Sequence, residues 1–321
     1  MRYKIMLPAA LLAIMVVLAP AAARAEQRIG VLLFSEEVRY HESLQGIRDQ
    51  LAKSGFKEPK VRFLIGNAAG NKSKAVDLVR SYAADDSLAL MITLGTNATI
   101  AAAREIRNVP IVFSMVYDPV EARVAKDWKS SGTNLTGASP RVPMTELVAA
   151  LKEIRPLQRL AVLYTPGEKN SESQLKDLQQ LQQQYAFKVL PVIIQREEDV
   201  PLLLPEVLPA VDAAYLSGSS VIGAAVPQIV ELASRAKVVT ITHLEDLVKK
   251  GVMIGVCADP YLLGIMAGKK AAAVLKGAKP AEIPIEYLPR PGLIINRKTA
   301  RATQLPLPEA MLRRAAKSYG Q

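Results

Sequence analysis

The 321-residue sequence predicts an α/β protein of two lobes, each a parallel sheet with helices on both faces. Three observations carry this. Short apolar runs alternate with helical patterns along nearly the whole chain after residue 26. The alternation breaks once, at the polar stretch Thr133-Asn134-Leu135-Thr136-Gly137-Ala138-Ser139-Pro140, and then restarts. The apolar runs end in short polar turns, and an open parallel sheet receives ligands outside the carboxyl ends of its strands.

The chain opens with Met1-Arg2-Tyr3-Lys4, an apolar run to about Ala23, and the box Ala23-Arg24-Ala25. A basic start, an apolar middle and an A-x-A box read as a cleaved secretory signal, residues 1–25. Pro8 and Pro20 interrupt the run, which is short beside the ~20 residues of a spanning helix. No Cys lies near Ala25 to carry a lipid. The expected product starts near Glu26, lies in the periplasm and makes no stable membrane insertion.

Residues 28–34 read as the first strand and 43–51 as a helix with apolar side chains three to four apart, stopped at Gly55. Strands follow at 61–65, 88–94 and 111–116. A helix at 74–82 separates the first two, and an Ala-rich helix after Gly95-Thr96-Asn97 the last two. Residues 133–140 read as the first crossing between lobes. Beyond it the pattern gives a helix at 144–151, a strand at 159–164, a helix at 173–185 and a strand at 188–194. A short helix at 201–208, a strand at 213–216, a helix at 226–236 and a strand at 238–242 come next. Then follow a helix at 244–250, a strand at 252–256 and a long Ala-rich helix at 262–275. Two extended segments, 283–287 and 292–296, and a helix at 309–318 end the chain.

Half of the residues are hydrophobic, enough for two cores. The net charge of +11 falls to +8 once Arg2, Lys4 and Arg24 are removed. The remaining Lys and Arg are scattered, with no basic tract interleaved with aromatics, so no nucleic-acid partner is expected. The single cysteine, Cys257, lies in an apolar run and reads as a buried, inert thiol. His41 and His243 are far apart in sequence and clustered metal ligands are missing, so no metal or cofactor is expected. His41 fits a loop or cap before a helix, and His243 a hinge or lobe interface. Neither a G-x-S-x-G elbow nor a Gly-rich phosphate loop occurs.

What remains is a ring of short polar residues at strand ends. The first lobe offers Ser35, Thr96, Asn97 and Asp118. The second offers Tyr164, Asn170, Ser171, Ser217, Ser219 and Ser220, with Asp259 after its last strand. Singly, Thr96 and Asn97 also fit helix caps, Asp118-Pro119 a turn, and 217–220 a flexible loop. Together they fit a cleft with a few convergent polar groups, where helix N-termini favour a carboxylate.

These residues resemble the substrate-binding proteins of ABC transporters, in the family that includes tryptophan- and tyrosine-type binding proteins. The matching stretches are Gly95-Thr96-Asn97-Ala98-Thr99, Val109-Pro110-Ile111-Val112-Phe113 through Asp118-Pro119-Val120, and Thr133-Asn134-Leu135-Thr136-Gly137. Ala161-Val162-Leu163-Tyr164 with Pro166, Asn170 and Ser171 also match, as do Leu275-Lys276-Gly277, Ile283-Pro284-Ile285-Glu286 and Ile295-Asn296. The resemblance implies the type I periplasmic-binding-protein fold: two Rossmann-like lobes joined by three crossing segments. These would fall near 133–137, 239–243 and 285–294. The first lobe would be 26–136 plus 243–285, and the second 137–242 plus 286–321. Thr96, Asn97 and Asp118 would face the ligand from the first lobe, and Asn170 and Ser171 from the second. Tyr40, Tyr117, Tyr164 and Tyr261 are the candidate cleft rings, and His41 stands near the cleft.

The sequence departs from the family where many members carry an acidic turn of Asp-Asn type. Here the turn is Ser217-Gly218-Ser219-Ser220, without charge. A carboxylate there would pair with a ligand's ammonium group, so its loss counts against an aromatic amino acid. Aromatic residues are also scarce, at 5%. The resemblance implies a non-enzymatic, monomeric receptor. It would capture a small solute, an amino acid or related carboxylate, by hinge closure and deliver it to an ABC permease of the inner membrane. A sensory module presenting the solute to a membrane kinase or chemoreceptor is the alternative. An exported hydrolase, resting on Ser219, Ser220 and His243, is the third.

Overall fold

A computed structural model describes residues 26–320 of the chain; the expected signal, 1–25, lies outside the described residues. In chain order the first lobe begins with β1 (Gln27–Leu33), α1 (Val38–Lys53), β2 (Val61–Asn67) and α2 (Lys72–Ala83). It continues with β3 (Leu88–Leu94), α3 (Thr96–Glu105), β4 (Ile111–Ser114) and β5 (Leu135–Ser139). The second lobe opens with α4 (Met144–Ile154), β6 (Arg159–Tyr164), α5 (Lys169–Gln180), α6 (Gln182–Tyr185) and β7 (Lys188–Ile193). Then come α7 (Asp199–Val207), β8 (Ala213–Leu216), α8 (Ser220–Arg235), β9 (Val239–Thr242), α9 (Glu245–Lys249) and β10 (Ile254–Cys257). The chain returns to the first lobe for α10 (Pro260–Leu275) and β11 (Glu286–Tyr287). It ends in the second with β12 (Gly292–Asn296), α11 (Arg297–Thr303), α12 (Glu309–Arg314) and β13 (Lys317–Tyr319).

The strands form a six-stranded sheet, ordered β11-β5-β4-β3-β1-β2, and a seven-stranded sheet, ordered β13-β12-β10-β9-β8-β6-β7. Every pairing is parallel except β10 with β12. Helices cover both faces of a parallel sheet, which is why central strands such as β3 and β8 are apolar and buried rather than alternating. Short polar residues start several helices: the side chains of Asn71, Ser219, Asp259 and Asn296 accept from backbone N–H groups of α2, α8, α10 and α11. Among the described residues no helix is long and apolar enough to cross a membrane.

The helices α1 and α10 pack with their backbones in near contact. A Cβ on Gly264 would lie 2.0 Å from the Ser43 carbonyl oxygen, and one on Gly46 would lie 2.2 Å from that of Tyr261. This contact carries α10 back onto the first lobe after the chain has left it.

The structure differs from the sequence expectation in several places. The stretch read as a polar crossing contains β5, a fully buried strand. Its small residues disguise it; Gly137 is needed because a Cβ would meet the Phe113 carbonyl oxygen at 2.3 Å. The second crossing is not at 239–243. There β9 pairs with β8 and β10, so His243-Leu244 is another strand-to-helix turn and residues up to 257 stay with the second sheet. The first two crossings fall instead at 140–143 and 258–259, while the third, 288–291, lies within the expected 285–294, with β11 still on the first sheet beside β5. The helices α1 and α8 start earlier than expected, at Val38 and Ser220. The last expected helix stops at Arg314, and β13 joins β12.

Candidate ligand-binding cleft

The carboxyl ends of the strands of both sheets face one another across a polar cleft that is nearly closed in this structure, its free interior about 20 Å³, room for about one water molecule. The first lobe lines it with Phe34, Arg39, Tyr40, Thr96, Asn97, Met115 and Tyr117. The second lobe lines it with Glu168, Asn170, Gln174, Gly218, Ser220, His243 and Leu244, and Pro140 closes it from the crossing.

The N-terminus of α3 is aimed by Gly95. Its φ of 99° turns the chain from β3 into the helix, and a Cβ there would lie 2.6 Å from Tyr40 Oη. Tyr40 therefore lies across the start of α3. No side chain caps this helix, and the buried Thr96 hydroxyl has no partner in the protein. Uncapped N–H groups and an orphaned hydroxyl at a helix N-terminus suit a carboxylate.

Opposite stands His243, 2% exposed. The Gly218 N–H donates to Gln174 Oε1 (2.9 Å), which points the Gln174 amide NH₂ at His243 Nε2 (3.4 Å). His243 Nε2 then accepts, its proton sits on Nδ1, and Nδ1 donates to Tyr215 Oη (2.7 Å). Burial, assisted by the Arg39 charge, pushes the imidazole pKa down to about 3. The unfolded chain protonates this group below about 6.5 while the fold keeps it neutral, so it contributes stability above that pH and loses it as pH falls toward 3. Wild-type protein is expected to lose about 2–3 kcal/mol relative to His243→Gln between pH 6 and 4, at about 1.4 kcal/mol per unit. Denaturant titrations at both pH values check this; parallel curves would remove His243 as the cause.

Arg39 is buried between Asp246 of the second lobe (2.6 Å) and Glu37 of its own (3.0 Å). Further bonds join the lobes: Ser220 Oγ donates to Glu37 (3.1 Å), Lys249 Nζ to Glu42 (2.9 Å) and Tyr117 Oη to Asp177 (2.8 Å). Tyr117 also meets His243 edge to face, with ring centroids 5.3 Å apart.

The structure thus brings Thr96, Asn97, Tyr117, Asn170 and Ser220 to the cavity. Ser171, Ser217 and Ser219 stand behind it. Ser171 Oγ bonds Ser217 Oγ (2.8 Å), and Ser219 Oγ bonds Thr165 Oγ1 (2.6 Å), tying the turns after β6 and β8 together. Ser35 has a buried hydroxyl without a partner but does not line the cavity, and Tyr164 is half-buried at the end of β6. Asp118 is occupied by its own turn: one oxygen accepts from the N–H groups of Val120 and Glu121 (both 3.0 Å), and the other pairs with Arg141. His41 is exposed and bonds Glu36 (2.8 Å), and Asp259 caps α10. Of the candidate rings, Tyr40 and Tyr117 reach the cavity, whereas Tyr261 is on the surface bonded to Asp49 (2.9 Å). Arg39, Glu168, Gln174 and His243 line the cavity as well, beyond the candidates that the sequence offers. Only His243 carried a sequence signal, its place at a strand end.

Among the described residues no group of three or more His, Cys, Asp and Glu side chains could hold a metal ion. Cys257 is buried, and burial pushes its thiol pKa well up.

The two facing lobes and the enclosed polar cavity define a solute receptor of the periplasmic-binding type, and comparisons with known proteins agree. Residues 28–319 match the family described as ABC transporter substrate binding protein, and the chain belongs to that family. It is a family of solute-binding proteins, not of enzymes. A tyrosine-binding protein of Clostridioides difficile is 24% identical over 281 residues, 87% of this chain and 81% of that protein. The structure of an ABC domain in complex with L-Trp from Streptococcus pneumonia is similar with a TM-score of 0.86. It is 26% identical, covering 92% of this chain and all of that one. A conserved domain protein from Vibrio cholerae gives a TM-score of 0.85 at 25% identity, over 91% of this chain and 99% of that one.

Proposed function

We propose that this protein captures a small solute, an amino acid and foremost an aromatic one, between its lobes by hinge closure and delivers it to an ABC permease outside the cytoplasm. The observation that carries this is the inter-lobe cavity, walled by Tyr40, Tyr117 and His243 and offering the unpartnered Thr96 hydroxyl at a helix N-terminus. The similarity to a tyrosine-binding protein and to an L-Trp complex supports the same class of ligand. The receptor acts as a monomer, each lobe docking on the permease, and is exported by cleavage near Ala25. Thr96 and Asn97 contact the ligand from the first lobe, and Asn170 and Ser220 from the second. Asp118 acts through Arg141 and its own turn.

A thermal-shift screen against amino acids, other carboxylates, nucleosides and sugars tests this. A ligand at 100 times its Kd stabilises the native state by about 2.7 kcal/mol. L-Tyrosine or L-tryptophan is expected to raise the melting temperature. A shift with sugars or nucleosides alone would overturn the amino-acid reading.

A further inference from the structure

Two charged side chains line the cavity, Arg39 and Glu168. The charge of Arg39 is already met by Asp246 and Glu37. Glu168 is different. It precedes α5, is 9% exposed, and among the described residues no Lys or Arg forms an ion pair with it. Its carboxylate accepts from Ser219 Oγ (3.3 Å). It therefore sits on the uncharged turn 217–220, carried there from the neighbouring strand-to-helix turn. Lys72 donates to the Gly167 carbonyl oxygen (3.0 Å) and forms no ion pair with Glu168, although its charge acts on that carboxylate from a distance. Burial raises the Glu168 pKa despite the Lys72 charge, and a cation in the cavity would favour its ionised form further.

Glu168 also lies close enough to Tyr40 for its charge to act on the phenol, and Tyr40 lies over Gly95 at the start of α3. The cavity thus has, on the second lobe, a buried carboxylate without an ion-pair partner among the described residues and, on the first, an uncapped helix N-terminus with the orphaned Thr96 hydroxyl. Such a pair of ends fits a zwitterion, and a buried polar group left unpaired rejects analogues that cannot satisfy it.

We propose that Glu168 binds the ammonium group of an α-amino acid whose carboxylate is received by Thr96 and the N-terminus of α3. This rests on the amino-acid reading above and names the residue that makes the site select zwitterions over simple carboxylates. One molecule then bridges the lobes.

Calorimetry on the purified protein tests it with L-tyrosine, L-tryptophan and their desamino analogues, 3-(4-hydroxyphenyl)propionate and 3-(indol-3-yl)propionate. Wild type is expected to prefer each amino acid over its analogue by at least about 100-fold. Glu168→Gln is expected to lose most of that preference, chiefly by weaker amino-acid binding, and Glu168→Asp to retain part of it. Because the readout is a ratio between two ligands, a variant that is merely destabilised lowers both affinities and keeps the ratio. An undiminished ratio in Glu168→Gln overturns this assignment and leaves the function standing. Wild type that binds neither amino acid overturns both.

Discussion

Arg39→Met is expected to weaken ligand binding by at least about 100-fold while leaving the melting temperature of the ligand-free protein nearly unchanged. The guanidinium joins Glu37 on the first lobe to Asp246 on the second, and all three side chains are largely withdrawn from water. Removing one partner of a buried ion pair costs about 3–5 kcal/mol, because the carboxylates left behind are buried without compensation. Asp246 is poorly placed to absorb this, since its Oδ1 already lacks a partner. On the hinge closure proposed above, both carboxylates hydrate while the lobes are apart, so the cost is expected to fall on closure rather than on folding. Isothermal titration and small-angle scattering check this: wild type is expected to contract on adding ligand, and the variant is not. Arg39→Met combined with Asp246→Leu should recover part of the affinity. A large drop in ligand-free melting temperature with unchanged affinity would mean that the pair belongs to a static frame.

Gly264→Val is expected to destabilise the protein by about 3 kcal/mol or more, at the upper end of overpacking. A Cβ at this position falls 2.0 Å from a backbone oxygen of α1, and no rotamer change relieves a backbone contact. The helices must separate. A loss of this size lowers the melting temperature by roughly 6–12 °C in a protein with domains of this size. Because α1 also carries Arg39 and Tyr40, the variant is expected to bind ligand more weakly than its stability loss alone explains. Thermal unfolding with and without ligand measures both effects. Gly55→Ala is no control for it, since Gly55 is held at a φ of 91° for a conformational reason; Gly223→Ala, with no atom nearer than 3.8 Å, is.

The alternation of apolar runs and helical faces made most of the architecture legible, because strands buried on both sides of a parallel sheet read as unbroken apolar stretches. It failed where the residues are small. In β5, Leu-Thr-Gly-Ala-Ser resembles a loop, yet close approach to Phe113 demands those sizes. It failed again at His243, where a polar turn looks the same whether the chain then crosses to the other lobe or stays. Strand pairing decides that, and pairing is not local. In the cleft, short polar residues at strand ends pointed to Thr96, Asn97, Asn170 and Ser220. The charged lining did not stand out. Arg39 interrupts the apolar face of α1, and Glu168 sits in Pro166-Gly167-Glu168-Lys169, which has the composition of a solvated turn. Their burial depends on partners more than forty residues away: Asp246 for Arg39 and Ser219 for Glu168.

Neither lobe is made from one continuous stretch of chain. The first waits for α10 and β11, and the second for β12 and β13, whose Lys317 and Tyr319 grip Glu245. A polypeptide emerging from its N-terminus therefore cannot complete either core until almost all of it has been delivered.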